Sequence, residues 1–171
     1  MRNIRILMTA CALSVLSGPT FAEGDGGLID NFGDWSAFKT KESGADVCYM
    51  GSVPTKEEGD YTKRGETFVL FSHRPAEGRL NELSVTAGYT HKKGGEVDVA
   101  IGTQSFSLFT DGDTAWAWDK ETDLKVIKAM RGGKTMVVKG VSHRGTRTMD
   151  TYSLKGVTAA WKAINAACGV Q

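Results

Sequence analysis

The chain has 171 residues, of which 40% are hydrophobic and 24% charged, and its 21 basic residues nearly balance its 20 acidic ones. This length and composition are typical of one globular domain rather than a disordered chain. The near-neutral charge, with Lys and Arg scattered and no polybasic run, argues against nucleic acid or an anionic membrane as partner.

The first 22 residues have the layout of a secretory signal peptide. Arg2 and Arg5 form a positive start, residues 6–16 are mostly apolar, and Gly18-Pro19 precedes a small-x-small pattern that ends at Ala22. The apolar run is shorter than the roughly 20 residues that span a bilayer. We therefore predict cleavage after Ala22, no transmembrane segment afterwards, and a mature protein in the periplasm, in the cell envelope or secreted.

The cysteines support the same compartment. Residues 8–11 (MTAC) loosely resemble a lipoprotein signal that would lipidate Cys11, but the apolar run before Cys11 is only a few residues long. Cleavage after Ala22 removes Cys11 and leaves Cys48 and Cys168, which in an exported protein most simply pair with each other. Two free thiols or one reactive cysteine are the alternatives to this disulfide.

The mature chain opens on residues 23–31, which are rich in Gly and acids and predict a flexible N-terminal segment. Apolar or alternating runs typical of strands then follow at residues 35–38, 47–50, 66–72, 80–89, 96–101, 104–109 and 115–118. The run over 66–72 is nearly unbroken and predicts a strand buried on both faces. The connections are too short for crossover helices, which favours antiparallel pairing.

Two segments break this rhythm and predict helices. Residues 121–131 place Leu124, Ile127 and Met130 on one helical face, and residues 157–168 carry an apolar stripe that includes Cys168. Late strands are predicted over 134–142 and 147–154. The fold class is therefore mainly β, an antiparallel β-sandwich in one domain over 32–171, with a short helix near 122–131 and a C-terminal helix near 157–168.

Three patterns that suggest chemistry do not meet the requirements of that chemistry. Residues 140–145 (GVSHRG) contain Ser and His but lack the G-x-S-x-G spacing of a nucleophile elbow. Residues 111–116 (DGDTAW) lack the later ligands of an EF-hand loop. His73, His91 and His143 have no zinc-site spacing. We therefore expect no catalysis, no metal and no cofactor.

Several stretches of the chain resemble the invasion-associated locus B family of α-proteobacterial envelope proteins. They include residues 32–35 (FGDW), 47–50 (VCYM), 73–75 (HRP), 106–116 (FSLFTDGDTAW) and 150–154 (DTYSL). The resemblance spans residues 32–168. It implies an exported β-sandwich of immunoglobulin-like architecture, a Cys48–Cys168 bridge and a link to host-cell invasion, and it supplies no catalytic motif.

These observations predict a non-enzymatic envelope protein that binds an unknown protein or another envelope or host-surface component. The candidate partner-binding residues are Trp116 and Trp118, predicted to share one strand face, and His143, Arg144 and Arg147 around a turn. The alternatives are a periplasmic enzyme whose site assembles from distant residues, including the histidines, and a structural or stress-protective envelope factor.

Overall fold

The structure is a computed structural model that describes residues 27–171. The predicted signal peptide and residues 23–26 lie outside the described residues. The described part contains eleven strands: β1 (Gly27–Phe32), β2 (Trp35–Glu42), β3 (Ala45–Ser52), β4 (Lys56–Gly59), β5 (Phe68–Arg74), β6 (Arg79–Thr86), β7 (Glu96–Ile101), β8 (Gln104–Asp111), β9 (Thr114–Trp116), β10 (Thr135–Val141) and β11 (Arg147–Ser153). Two helices, α1 (Lys120–Gly132) and α2 (Val157–Cys168), complete it with a 3-10 turn at Pro75–Glu77.

All strand pairs in the described part are antiparallel, which confirms the mainly β class. The strands form one sheet in the order β1-β2-β3-β5-β6-β9-β8-β7-β10-β11-β4. The sheet has two halves, β1-β2-β3-β5-β6 and β8-β7-β10-β11-β4, which share a core and are joined through the short strand β9. The predicted sandwich has two separate sheets. The immunoglobulin-like arrangement stays a prediction.

The sheet curls so that its two ends meet. The Trp35 indole Nε1 donates to the Ser153 carbonyl at 2.9 Å, and the Asp34 amide donates to the Lys155 carbonyl at 3.0 Å. These bonds join the hairpin of β1 and β2 to the segment that follows β11. One core therefore collects inward-facing residues from both halves of the sheet and from both helices.

Strand β5 differs from its prediction. Val69, Phe71 and His73 are buried, but the alternate residues Phe68 and Leu70 are only half-buried. The expectation that this strand is buried on both faces is wrong, because one face of an antiparallel sheet can remain partly open to water even where its residues are apolar.

The two edge strands are absent from the sequence predictions. Residues 27–31, predicted to be flexible, belong to β1, which pairs with β2 from Gly27–Lys39 to Phe32–Trp35. Strand β4 (KEEG) pairs with β11. Both lie at the ends of the sheet, and most of their side chains are exposed, so they need no alternation of apolar residues.

Helix α1 is confirmed, with a different buried face from the one predicted. Asp119 caps its start by accepting the Thr122 amide at 2.7 Å. Ile127 and Met130 are buried as expected, but Leu124 is 45% exposed. The helix packs on β6 and β8 through a stripe rotated away from Leu124, which contains the buried acid Asp123.

Helix α2 packs with Val157, Ala160 and Ile164 in the core, as its apolar stripe predicts. Its start requires glycine, because Gly156 has a φ of 98° and a Cβ there would lie 1.6 Å from the Phe32 carbonyl oxygen. The predicted disulfide between Cys48 and Cys168 is present and links this helix to β3. The Cα atoms of the two cysteines are 6.0 Å apart.

Candidate binding groove

A groove of about 500 Å³ opens at the place where strand β9 ends. Strand β9 pairs with β6 only from Ser84–Trp116 to Thr86–Thr114, so the first part of β6 has no strand beside it on that side. The start of helix α1 occupies part of this gap. The groove is lined by β6, by β8 and β9, and by the first turn of α1.

Three aromatic side chains, Phe109, Trp116 and Trp118, form an aromatic cluster at this groove. Phe109 and Trp116 are cross-strand neighbours with ring centroids 5.9 Å apart, and both line the groove. Trp118 is 60% exposed and its ring centroid lies 5.2 Å from that of Phe109. Because β9 ends at Trp116, the predicted shared strand face is wrong, and Phe109 connects the two tryptophans instead.

Asp123 is the buried acid of the groove, with only 8% of its surface exposed. Its Oδ1 accepts the Leu83 amide at 2.9 Å, in the place of the strand partner that β9 no longer supplies. Its Oδ2 has no hydrogen-bond partner among residues 27–171. Burial, with the charges of Glu82 and Asp119, raises the pKa of Asp123 to about 6, although the Leu83 hydrogen bond acts in the opposite direction.

The charged residues of the groove are mainly acidic. Four carboxylates belong to its lining, and the two basic residues there are Arg79 and Lys120. The Arg79 guanidinium is already paired with Glu77 and Glu82, at 3.1 Å for Nη1 to Glu77 Oε2 and for Nε to Glu82 Oε1. With Arg79 and Glu82 set aside as a pair, three carboxylates and one lysine remain in the lining.

The predicted turn residues lie elsewhere. His143, Arg144 and Arg147 are exposed around the turn between β10 and β11, and none of them lines the groove. The turn closes through the Gly145 amide, which donates to the Ser142 carbonyl at 2.8 Å. The five candidate partner-binding residues thus fall into two separate places, with Trp116 and Trp118 at the groove.

The three histidines do not meet in one site. His73 is fully buried, accepts the Asn81 amide through Nδ1 at 3.0 Å and donates through Nε2 to Asn165 Oδ1 at 2.7 Å. His91 is buried against Tyr89, and burial lowers the pKa of both imidazoles. His143 is exposed. Across residues 27–171, no three His, Cys, Asp or Glu side chains are grouped so that they could hold a metal.

Phe109 and Asp123 were not among the residues selected from the sequence. Phe109 carries one local signal, because it shares a strand face with Ser105 and Ser107, where the alternation of β8 predicts a polar residue. Asp123 carries a weak signal, because the buried positions Val126, Ile127 and Met130 place it on the apolar side of α1. An acid at such a position indicates a specific polar contact or a functional group.

Replacing Asp123 by Asn should stabilise the protein near pH 7 by about 1 to 3 kcal/mol, since one pKa unit corresponds to about 1.4 kcal/mol. The raised pKa means that folding favours the protonated carboxyl, so the native state loses stability as the pH rises from about 4 through 6. An asparagine oxygen can still accept the Leu83 amide and carries no charge. Urea unfolding of both proteins from pH 4 to 8 measures the difference.

The exposed carboxylate Asp98 on β7 provides the control, because Asp98→Asn changes the same chemical group outside the groove. We expect the gain of Asp123→Asn to be small at pH 4 and largest above pH 6, and Asp98→Asn to show no such trend. An Asp123→Asn variant that is less stable than the wild type at pH 7 contradicts this assignment.

The fold and the groove define a mainly β antiparallel domain whose last helix is fixed to the sheet by a disulfide and which carries an open aromatic surface. The chain belongs to the invasion associated locus B (IalB) protein family, whose model matches residues 35–165. This confirms the resemblance found in the sequence.

The fold is similar to the crystal structure of invasion associated protein B from Bartonella henselae, with a TM-score of 0.55 and 17% identity over 81% of this chain and 95% of that one. At that identity the likeness concerns the fold alone. No curated protein sequence matches the chain. In the described part, no helix is both long and apolar enough to span a membrane.

Proposed function

We propose that this protein is an exported cell-envelope factor that binds another macromolecule through the aromatic cluster and its groove, without catalysis. The observation that carries the proposal is the position of Trp118, which is 60% exposed and rests against Phe109 at the groove. Large exposed aromatic side chains beside a concave surface are characteristic of interaction sites.

The aromatic cluster suits binding because Phe109 and Trp116 are held in place before a partner arrives. Phe109 and Trp116 lie on paired strands, and their rings stack across the ladder of β8 and β9. Side chains that are already ordered lose little conformational entropy on binding, so more of the contact energy remains as affinity. Trp118 extends this surface beyond the end of β9.

Two observations support export. The first 22 residues have the layout of a cleavable signal peptide, and the disulfide between Cys48 and Cys168 is of the kind that persists in oxidising compartments. We place the mature protein in the periplasm, at the cell envelope or outside the cell, and the family name suggests host-cell invasion as the setting. The histidines lie apart from the groove, which favours binding over catalysis.

Site-specific photo-crosslinking tests the proposal. A benzophenone amino acid replaces Trp118 in one variant and Val53, an exposed apolar residue outside the groove, in the other. Expressed in the native bacterium and illuminated, the Trp118 variant should give a discrete crosslinked product that the Val53 variant does not. Co-expressed wild-type protein in excess should suppress the product, and co-expressed Trp118→Ala protein should suppress it much less.

Identical products from both positions, or none from Trp118 in cells with and without host contact, would contradict binding at the groove. The second result would favour the structural envelope factor. Because Trp118 is exposed, its replacement should leave the melting temperature within about 2 °C of the wild type, which separates loss of binding from loss of folding.

A further inference from the structure

The groove combines two features that together restrict what it can bind. One wall is aromatic, formed by Phe109 and Trp116 with Trp118 beside them. The rest of the lining carries carboxylates from β6 and from the start of α1, including Glu82 and Asp123. An aromatic face attracts a cation through its ring quadrupole, and a carboxylate attracts it through charge.

Asp123 gives this surface a specific acceptor. Asp123 is 8% exposed, is fixed by the Leu83 amide through Oδ1, and has no hydrogen-bond partner for Oδ2 among the described residues. Oδ2 is not one of the fully enclosed side-chain atoms without a partner in residues 27–171, so it is open to the groove. A cationic donor that replaces water there gains a charge-assisted hydrogen bond. Because Asp123 lines the groove, a donor that enters the groove can satisfy it.

The basic side chains that line the groove, Arg79 and Lys120, do not pair with Asp123. Arg79 is engaged by Glu77 and Glu82, and the described structure records no ion pair between Lys120 and any acid. The negative charges of Glu82 and Asp119 also act on Asp123, so the local field favours a positive group. An anionic ligand would meet the same charges as repulsion.

We propose that the groove binds a cationic side chain of a basic peptide segment, an arginine or lysine that stacks on the aromatic cluster and pairs with Asp123. The proposal rests on the proposed function and names the chemistry of the partner that the groove recognises. Arginine fits best, since its planar guanidinium can stack on an aromatic ring while its N–H groups donate to a carboxylate.

The peptide acetyl-GRGRG-amide is the probe, and its analogue with citrulline in place of both arginines is the neutral control of nearly equal shape. Each is titrated into the intact mature protein labelled with nitrogen-15, and the indole resonances of Trp116 and Trp118 are followed. We expect the arginine peptide to shift both resonances in a saturable way, and the citrulline peptide to bind at least about tenfold more weakly.

Three variants locate the contact. Asp123→Asn should weaken binding of the arginine peptide by about tenfold while the protein stays folded, and Trp118→Ala should weaken it by a smaller factor. Asp98→Asn, which removes a carboxylate outside the groove, should bind like the wild type. This comparison separates a local contact from a general effect of net charge.

Equal binding of the arginine and citrulline peptides would overturn the cation proposal and leave the groove as a site for neutral peptides. So would equal affinity of Asp123→Asn and wild type, or the absence of any shift with the arginine peptide up to millimolar concentration. None of these results touches the crosslinking at Trp118, so the proposed function can stand when this inference fails.

Discussion

Replacing both Cys48 and Cys168 by alanine should lower the free energy of unfolding by about 4 to 5 kcal/mol. The bond closes a loop with a sequence separation of 120 residues, and the stabilisation expected from restricting the unfolded chain grows with loop length. Domains of this size have a total stability of about 5–15 kcal/mol, so the loss is a large fraction of it. Urea unfolding followed by tryptophan fluorescence measures it.

The location of the bond adds to this effect. Cys48 is fully buried on β3, and Cys168 ends the helix whose stripe packs into the same core. Treating the wild-type protein with a reductant during the same titration should reproduce most of the loss without changing any side-chain volume. A double variant within about 1 kcal/mol of the wild type would show that the sheet and α2 hold together without the bond.

Replacing Arg64 by alanine should lower the free energy of unfolding by about 3 to 5 kcal/mol, because it leaves the Asp150 carboxylate buried and unpaired. The Arg64 Nη1 and Nη2 atoms each donate to one oxygen of Asp150 at 2.6 Å, and Nε donates to the Ala87 carbonyl at 2.7 Å. Both side chains of the pair are 3% exposed. Thermal or urea unfolding of the variant gives the number directly.

A double variant separates the two parts of this cost. Arg64→Met with Asp150→Leu removes both charges and fills similar volumes, so it should lose less stability than Arg64→Ala alone. If the single variant is as stable as the double one, or close to the wild type, Asp150 finds water or another donor and the buried-pair interpretation fails. The guanidinium also lies over the Tyr61 and Tyr89 rings, so part of the loss is packing.

The parts of the fold that sequence could predict are those where burial imposes a pattern. Strands β7 and β8 alternate and helix α2 carries a continuous apolar stripe, and the sequence predicts all three close to their observed bounds. The edge strands β1 and β4 could not be predicted, since their exposed side chains have no core to face. Their positions depend on backbone pairing with distant partners.

The candidate site was predicted only in part for a related reason. Trp116 and Trp118 could be selected as a pair, but their environment depends on where β9 stops, which no local sequence signal determines. The contact of Asp123 with the Leu83 amide joins residues 40 positions apart, and the shared core of the two halves of the sheet decides it. The three turn residues share a predicted turn, and the sequence of a turn does not determine its distance from the groove.

The small strand β4 has a consequence for how the domain can fold. It lies in the first half of the sequence, yet its ladder partner is β11, the last strand of the chain, and the Thr55 amide also bonds to the Thr151 carbonyl. At the other boundary, β9 from the second half pairs with β6 from the first. Strands from the two halves of the sequence therefore pair at two separate places, β4 with β11 and β6 with β9. A chain cut between β6 and β7 yields fragments that must find each other before either can complete its hydrogen bonds, which favours cooperative folding of the whole domain.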